Sequence, residues 1–191
     1  QNGNALWRNE EGLLTENYGE ARRINAGSPE PLWTGGFNTE LSWRGISLGI
    51  QLEARYGNKV LNQDRSLFEA DGSYGDSNIW KGAMNYWKKP GDTNVLPKPV
   101  YNNSSNSSAI STRYLEDGSY LRIKDITLAY SLPSKWTKKA LMSGVRIYAS
   151  ALNLYTFHNM NYWDPEHGTS GATIISYPMT RSMIVGVDIT F

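Results

Sequence analysis

The sequence predicts an all-β protein: about five strands of a large antiparallel transmembrane β-barrel, with long loops at one end. Three observations lead to this fold class. Stretches of about ten residues alternate between apolar and polar side chains, aromatic residues lie at the ends of these stretches, and short connections alternate with long ones. No run of about 18 consecutive apolar residues is present, so the sequence contains no candidate transmembrane helix.

The first two predicted strands, 33–43 and 46–56, form a hairpin. Each carries apolar residues on one parity, and the second does so more regularly, with polar and small residues between them. Only Arg44 and Gly45 separate the strands, which is the spacing of a tight two-residue turn. The apolar positions of the second strand are Ile46, Leu48, Ile50, Leu52, Ala54 and Tyr56.

The third, fourth and fifth predicted strands lie within 119–132, 144–157 and 181–191. In the third strand the apolar parity changes near Lys124 and Asp125, which predicts one extra residue there, a β-bulge. The fifth strand alternates up to the last residue of the sequence. Its apolar parity is Met183, Val185, Val187, Ile189 and Phe191, which we expect to face lipid, whereas Gly186, Asp188 and Thr190 face the lumen.

The connections between the strands differ greatly in length. The third and fourth strands are joined by a short link, whereas about 58–118 and about 158–176 are long and rich in Gly, Pro, Asn, Ser and aromatic residues. Within the first long connection, 77–89 predicts a short amphipathic helix with Ile79, Met84 and Trp87 on one side.

Loop asymmetry predicts the orientation and the domains. In outer-membrane barrels short turns face the periplasm and long loops face the exterior, so both long connections are predicted to be extracellular. We predict that 1–32 form an extracellular loop leading into the barrel and that 33–191 hold its last strands. Five strands are too few to close a barrel, because the smallest have about eight. The chain is therefore expected to be a C-terminal fragment of something larger.

A soluble β-sandwich that binds carbohydrate at the cell surface is the alternative reading of the same alternation. In a sandwich the apolar face packs inward against a second sheet, whereas in a barrel it faces lipid. Strand length, the polar and small residues of the opposite face, and the aromatic strand ends favour the barrel. These aromatic residues are Trp33, Trp43, Tyr56, Tyr130 and Phe191.

Composition excludes several functions. The formal net charge is +1 and no basic stripe is present, so nucleic-acid binding is not expected. The chain has no cysteine, and therefore no disulfide, thiolate metal site or cysteine nucleophile. No secretion signal is visible, which leaves a cytoplasmic chain or one whose beginning lies elsewhere. A secreted hydrolase is the third reading, but no GxSxG, HExxH or phosphate-binding loop occurs, so we predict no enzyme and no cofactor.

Four stretches resemble a known family: "YLEDGSYLRIKDITLAYSLP" (114–133), "VRIYASALNLYTF" (145–157), "YWDPE" (162–166) and "YPMTRSMIVGVDITF" (177–191). In this order they are similar to the C-terminal end of SusC/RagA-type TonB-dependent outer-membrane transporters. The resemblance extends from about Ile24 to the end, and it departs from the family pattern at Leu152 and Asp125.

The resemblance implies a plugged barrel of about 22 strands in the outer membrane of a Gram-negative bacterium. It implies import of an oligosaccharide or peptide, a SusD-type surface lipoprotein as a lid, and energy from TonB. The plug and the segment that contacts TonB belong to an N-terminal polypeptide missing here. The terminal Phe191 resembles the signal by which the barrel-assembly machinery recognises its clients.

The candidate site residues fall into three groups. Aromatic residues of the loops are candidates for stacking on a glycan or peptide: Trp80, Tyr86, Trp87, Tyr101, Tyr155, Tyr162 and Trp163. Each of them is individually more typical of a loop core or of a contact with the lid. Polar residues predicted to face the lumen or contact the plug are Glu40, Gln51, Glu53 and Arg55. His158, Asp164, Glu166 and His167 have no spacing that defines a metal geometry, and we predict no metal site.

Overall fold

The computed structural model describes residues 2–166, 171–173, 177 and 179–191, and its main feature is a five-stranded antiparallel sheet. Among the described residues, no helix has the length and apolar character needed to span a bilayer. The strands are β1 (Trp7–Arg8), β2 (Leu14–Thr15), β3 (Trp33–Trp43), β4 (Ile46–Tyr56), β5 (Lys59–Asn62), β6 (Leu115–Asp117), β7 (Tyr120–Ser131), β8 (Gly144–His158), β9 (Ala172–Thr173) and β10 (Ser182–Thr190). The α-helices are α1 (Gln63–Phe68) and α2 (Ser134–Thr137), and 3₁₀ turns occupy Tyr18–Glu20, Lys81–Met84, Thr112–Tyr114 and Lys138–Ala140.

The large sheet has the order β10-β8-β7-β4-β3, which confirms the five predicted strands and their antiparallel pairing. β3 and β10 are its outer strands, so the sheet does not close within the described part of the chain. Short turns join the strands at one end of the sheet, and we call this strand end the turn edge. The long connections lie at the opposite strand end, which we call the loop edge.

The predicted hairpin turn is confirmed. β3 and β4 pair in register from Trp33 with Tyr56 to Trp43 with Ile46. Arg44 and Gly45 have φ angles of 48° and 87°, the double positive φ that a two-residue hairpin turn requires. A Cβ at Gly45 would lie 2.8 Å from the carbonyl oxygen of Ser131, so glycine is needed both for the turn and for the approach of β7.

The predicted β-bulge is also confirmed, and β8 contributes to it. Lys124 is the extra residue of β7 against β4, because Gln51 pairs with Asp125 and Leu52 pairs with Ile123. Against β8, Lys124 lies opposite two residues, Asn153 and Leu154. Asn153 has a φ of 50°, a conformation that asparagine adopts more readily than most residues. The bulge realigns the alternation, so Ile123 and Ile126 lie on the same face.

One face of the sheet is apolar, and no described part of the chain covers it. Paired positions such as Ile50 with Ile126 and Val187 with Ile147 place the apolar parities of all five strands on this face. Phe37 is 57% exposed and Val185 is 79% exposed. A sandwich would bury these side chains against a second sheet, whereas a barrel presents them to lipid. The sandwich alternative is therefore wrong.

Aromatic side chains mark both ends of the apolar face. At the loop edge Trp33 stacks on Tyr56, with ring centroids 6.2 Å apart. At the turn edge Trp43 lies under the guanidinium of Arg44, 4.9 Å from the ring centroid, and Tyr130 lies opposite Ile46. Indole and phenol rings favour membrane–water interfaces, so the strand ends fit the two boundaries of a bilayer.

The opposite face is polar and carries side-chain hydrogen bonds between strands. The Thr127 hydroxyl lies 2.8 Å from a carboxylate oxygen of Asp125 and 2.9 Å from the Ser150 hydroxyl, and Ser150 donates to Asp125 at 3.0 Å. Nearer the turn edge, Arg146 of β8 forms an ion pair with Asp188 of β10 at 3.2 Å. The predicted lumen residues Glu40, Gln51, Glu53 and Arg55 all lie on this face by strand alternation.

The first long connection is more structured than the sequence indicates. β5 pairs antiparallel with β6 and parallel with β9, and α1 follows β5 directly. We call β5, α1, β6 and β9 the loop cluster. The parallel pair joins Leu61 to Ala172, which are far apart in sequence, so no local pattern predicts it.

The predicted helix in 77–89 is wrong. Only Lys81–Met84 form a 3₁₀ turn, which contains Gly82. Beyond it the backbone pairs with a later segment, because Trp87 N–H donates to the carbonyl of Leu96 at 2.8 Å and Leu96 N–H donates to that of Asn85 at 2.9 Å. Glycine lowers helix propensity by about 1 kcal/mol relative to alanine, and the extended pairing is the conformation adopted.

Candidate functional site

The loop cluster is held at the loop edge by a buried asparagine. The side chain of Asn62, fully buried, caps α1 by accepting from the N–H of Arg65 at 3.1 Å. Its amide nitrogen donates to the carbonyl of Asn161 at 3.1 Å, and the Thr173 hydroxyl donates to its oxygen at 3.4 Å. One side chain thus joins a helix start, the second long connection and β9.

Ion pairs within and next to the loop cluster orient two arginines, Arg65 and Arg113. Arg65 bonds Glu69 at 2.9 Å and Glu116 at 2.6 Å. Arg113 contacts both carboxylate oxygens of Asp71, at 2.8 and 3.1 Å. The three carboxylates are almost completely buried. Buried charges are tolerated only when they are paired and hydrogen-bonded, so this network acts as a rigid base for the loops.

Tyr114 lies between these two arginines, with its ring centroid 5.8 Å from the guanidinium carbon of Arg65 and 5.1 Å from that of Arg113. Its hydroxyl is buried and has no hydrogen-bond partner among the residues that the structure describes. Burial raises the pKa of this hydroxyl to about 12; Arg113 lowers it in part, and Asp71 and Glu69 raise it further. The neutral phenol is therefore the stable form, because a buried phenolate would lose its hydration.

We expect alkaline pH to weaken the loop cluster through Tyr114. Below about pH 10 both the folded and the unfolded state keep the phenol proton, whereas above it the unfolded state loses that proton first. The raised pKa predicts that about 2–3 kcal/mol of stability is lost as the pH rises from about 10 to about 12. Tyr114→Phe should match the wild type near neutral pH and lack this loss, as measured by denaturant unfolding of the loops. An equal alkaline loss in both proteins would contradict the assignment.

A second ion network fastens the "YWDPE" segment to the polar face. Arg122 of β7, whose side chain is fully buried, bonds Asp164 and also Glu166, the latter at 2.5 Å. Lys124 at the bulge bridges Glu166 at 3.1 Å and Glu53 of β4 at 3.1 Å. Asp164 and Glu166 are therefore engaged by cations of the sheet, which gives the "DPE" sequence a structural role.

The sequence analysis predicts no metal site at His158, Asp164, Glu166 and His167. Among the described residues, no group of three or more His, Asp or Glu side chains is placed to hold a metal ion. His167 lies outside the described residues.

A small cavity lies at the loop edge of the polar face, next to this ion network. Its volume is about 270 Å³. Arg122 and Thr156, paired across β7 and β8, line it together with Asn153 of the bulge. Asn153 also donates to the carbonyl of Thr180 at 3.2 Å, which holds the chain just before β10. The remaining lining residues are His158, Tyr162, Trp163, Asp164, Met179 and Arg181.

A larger cleft of about 940 Å³ separates the N-terminal segment from the loop cluster. Its floor is mainly aliphatic, with Trp7 and Tyr18 packed edge-to-face at 5.6 Å as its aromatic part. Among the described residues, no Asp or Glu lines it and five arginines do, namely Arg8, Arg22, Arg23, Arg65 and Arg113. The guanidinium groups of Arg65 and Arg113 are held by the carboxylates of Glu116 and Asp71, which are not among the lining residues of the cleft.

The seven predicted aromatic residues do not form one surface. Trp80 packs at 5.3 Å on Phe68, at 3.9 Å on Tyr162 and at 6.1 Å on Trp163, as the centre of an aromatic cluster. Of the seven, only Tyr162 and Trp163 line the small cavity, and none lines the large cleft.

The other four predicted aromatic residues lie apart. Tyr86 stacks under the ammonium of Lys88 at 5.4 Å, and Tyr101 is 74% exposed. Trp87 lies against Gly3 of the N-terminal segment. Tyr155 pairs with Ile123 and packs edge-to-face on Phe157, so it lies on the apolar face, away from both cavities. A role for Tyr155 in binding ligand from the polar side is therefore not supported by its position.

The predicted lumen residues take different positions on the polar face. Glu53 accepts from the Tyr120 hydroxyl at 2.7 Å, and Arg55 lies 4.0 Å from Glu53. Glu40 lies opposite Gly49, and Gln51 lies opposite Asn38. Contact with a plug remains a prediction for all four. Sequence reasoning missed Arg122, Asn153 and Arg181. The nearest predicted feature was the bulge at Lys124 of β7, which Asn153 lies opposite in the structure.

Comparison with known proteins places the chain within larger relatives. It is 30% identical over 182 residues to TonB-dependent receptor P3 of Formosa agariphila, covering 90% of this chain and 17% of that protein. It is 27% identical over 179 residues to TonB-dependent receptor P26 of the same organism, covering 86% of this chain and 17% of that protein. No protein-family model matches the chain.

Solved structures show the same fold. The RagAB peptide importer in its 'open-open' state matches with a TM-score of 0.83 and 28% identity, over 100% of this chain and 21% of that one. Its 'closed-closed' state matches with a TM-score of 0.81 and 29% identity, over 99% and 21%. The chain thus spans about a fifth of these relatives. With its alternating sheet and its elaborate loop edge, it belongs to the SusC/RagA-type TonB-dependent receptors, as a five-stranded stretch of their barrel wall.

Proposed function

We propose that the chain forms part of the barrel wall of an outer-membrane importer for oligomeric nutrients, either oligopeptides or oligosaccharides. One observation carries this proposal: the sheet presents an uncovered apolar face and a polar face, and it superposes over its whole length on a peptide importer. An apolar exterior with a polar interior is the arrangement of a barrel that lets water and solutes reach its lumen.

The proposal includes the location and the partners. The turn edge faces the periplasm and the loop edge faces the exterior of a Gram-negative outer membrane. The partners are the remaining barrel and plug polypeptide, a SusD-type lipoprotein over the loops, TonB for energy and the barrel-assembly machinery. The solved relatives are described as RagAB assemblies, which supports a two-component importer. The relatives are named as receptors and importers rather than enzymes, which supports a role without catalysis.

Uptake by the native bacterium tests this function. Deleting the gene that encodes the chain should abolish growth on, and accumulation of, one class of labelled oligomer, and complementation should restore both. The full-length protein, purified in detergent, should bring a surface lipoprotein with it. Unchanged uptake of oligopeptides and oligosaccharides, together with a protein that is stable and monomeric in buffer without detergent, would contradict the proposal.

A further inference from the structure

Four exposed cationic side chains lie at the turn edge, and none of them forms an ion pair with a described residue. They are Arg44 of the hairpin turn and, in the link between β7 and β8, Lys135, Lys138 and Lys139. The segments 41–48 and 126–146, which build this edge, contain no Asp or Glu. Asp188, near the end of β10, already pairs with Arg146 on the polar face. The turn edge therefore carries positive charge that the described part of the chain does not balance.

The hairpin turn and the link belong to one continuous surface. Ser131 N–H donates to the carbonyl of Gly45 at 2.7 Å, which joins the end of β7 to the hairpin turn. On the other side of the link, Ser143 N–H donates to the carbonyl of Thr190 at 2.7 Å, which joins the link to the end of β10. Thr137 of α2 is buried and anchors the link between these two points. The lysines of the link and Arg44 thus lie along the same strand ends.

Arg44 lies on the side of the sheet that carries the apolar face. Its guanidinium carbon is 4.9 Å from the ring centroid of Trp43, which belongs to the apolar parity of β3 and is 66% exposed. An arginine stacked on an interfacial tryptophan keeps its charge at the level of the lipid headgroups. The barrel wall separates this side from the lumen, so a solute or plug inside the barrel does not supply the missing negative charge.

Two exposed apolar side chains accompany the lysines of the link. Trp136 is 60% exposed and Leu141 is 89% exposed. Leu141 also has a φ of 57°, a left-handed conformation that is uncommon for residues other than glycine and asparagine. Lysines interspersed with exposed tryptophan and leucine are typical of segments at a membrane surface, where apolar side chains enter the acyl region and ammonium groups stay among the headgroups.

We propose that the turn edge binds anionic phospholipids of the leaflet that faces the periplasm. Arg44 presents a planar guanidinium fork to a lipid phosphate, and the three lysines of the link add point charges beside it. The acyl chains continue along the apolar face, which Ile46 and Tyr130 form at this end. The inference rests on the membrane location in the proposed function and adds a lipid preference to it.

The charge of the surface selects an anionic headgroup over a zwitterionic one. A zwitterionic headgroup brings its own ammonium group, which the four cations repel, whereas an anionic headgroup has negative charge without a counter-charge. Each Lys or Arg close to an anionic membrane surface raises affinity roughly fivefold. We therefore expect a preference of at least about 10-fold, and we expect it to decrease at high salt because these cations are exposed to water.

Photo-crosslinking to lipids reports this preference at the turn edge itself. The full-length protein is placed in phosphatidylcholine nanodiscs that contain either diazirine-labelled phosphatidylglycerol or diazirine-labelled phosphatidylcholine as a minor component. Mass spectrometry of the digested protein then compares the two probes on 41–48 and 132–143. We expect phosphatidylglycerol to label these segments at least about 10-fold more than phosphatidylcholine. The middle of β4 should be labelled about equally by both probes, because only acyl chains reach it.

Variants with matched charge changes locate the effect. Lys135→Gln, Lys138→Gln and Lys139→Gln combined should lower the preference at the turn edge at least about fivefold. Arg44→Gln should lower it about fivefold, whereas Arg44→Lys keeps the charge and should retain most of it. The control combines Lys81→Gln, Lys89→Gln and Lys98→Gln, three exposed lysines of the first long connection, and should leave the preference unchanged.

The outcomes separate this inference from the function on which it rests. Equal labelling of the turn edge by both probes, or a triple variant that keeps the wild-type preference, would overturn the lipid site and leave the import function standing. An equal loss in the loop-edge control would assign the preference to total charge and would overturn it too. Protection of the turn edge from both probes, with β4 labelled, would mean that another polypeptide occupies it. Failure of either probe to label β4 would contradict the membrane location, and with it the proposed function.

Discussion

Replacing Arg122 by alanine is expected to release the "YWDPE" segment from the barrel wall. The substitution removes the buried partner of Asp164 and Glu166, and leaves two carboxylates facing a cavity in the polar face. Breaking a buried ion pair by removing one partner typically costs about 3–5 kcal/mol. The large sheet should persist, because its backbone ladder does not depend on this side chain. Protease cleavage and faster hydrogen exchange within 159–166 of the full-length protein would report the release.

Arg146→Ala is the matched control for this experiment. Arg146 also lies on the polar face and pairs with one carboxylate, that of Asp188, but the two side chains are 44% and 57% exposed. An exposed ion pair contributes about 0–1 kcal/mol, so this variant should behave like the wild type. Arg122→Lys should be intermediate, because a single ammonium cannot reproduce the planar fork of the guanidinium. Equal protection of 159–166 in the Arg122 and Arg146 variants would contradict the structural role of Arg122.

Replacing Ile50 by arginine is expected to impair assembly of the barrel in the membrane. Ile50 lies midway along β4 on the apolar face, opposite Thr39 and Ile126. An arginine on the lipid side of a barrel costs about 2–4 kcal/mol at the centre of the bilayer. The amount of folded, heat-modifiable protein in outer-membrane fractions measures the effect, and we expect a strong decrease.

The adjacent position provides a control that differs in the face it occupies. Gln51 follows Ile50 in β4 and lies on the polar face, opposite Asn38 and Asp125. Gln51→Arg places the same side chain at the same depth beside a carboxylate and should assemble normally. If both variants assembled equally well, the apolar face would not be the lipid face; if only Gln51→Arg failed, the two faces would be reversed.

Local features of the fold were predictable because local rules produce them. Alternation defined five strands and their faces, the pair Arg44 and Gly45 defined the hairpin, and a change of parity located the bulge at Lys124. The helix in 77–89 was wrong, because pairing of Asn85 and Trp87 with Leu96 outweighs a weak helical periodicity. Periodicity over a dozen residues does not contain information about such a partner.

The candidate site was predictable only in part. Tyr162 and Trp163 were selected by residue type; the structure places both at the small cavity, and their role in binding stays a prediction. Tyr155 was chosen for the same reason, but the register after the bulge puts it on the apolar face. The arginines were missed because arginine is common on protein surfaces. Only the fold shows which groups a particular guanidinium faces.

The sequence alone determined which side of each strand is apolar, where the chain turns, and that the sheet suits a membrane wall, because these properties depend on side-chain parity and on neighbours a few residues away. Only the tertiary structure decided how the long connections are held and which side chains line the two cavities. Arg122 meets Asp164 and Glu166 across some forty residues of chain, and Asn62 meets Thr173 across 111. Such contacts depend on the chain topology, because only the folded arrangement brings residues so distant in sequence next to each other.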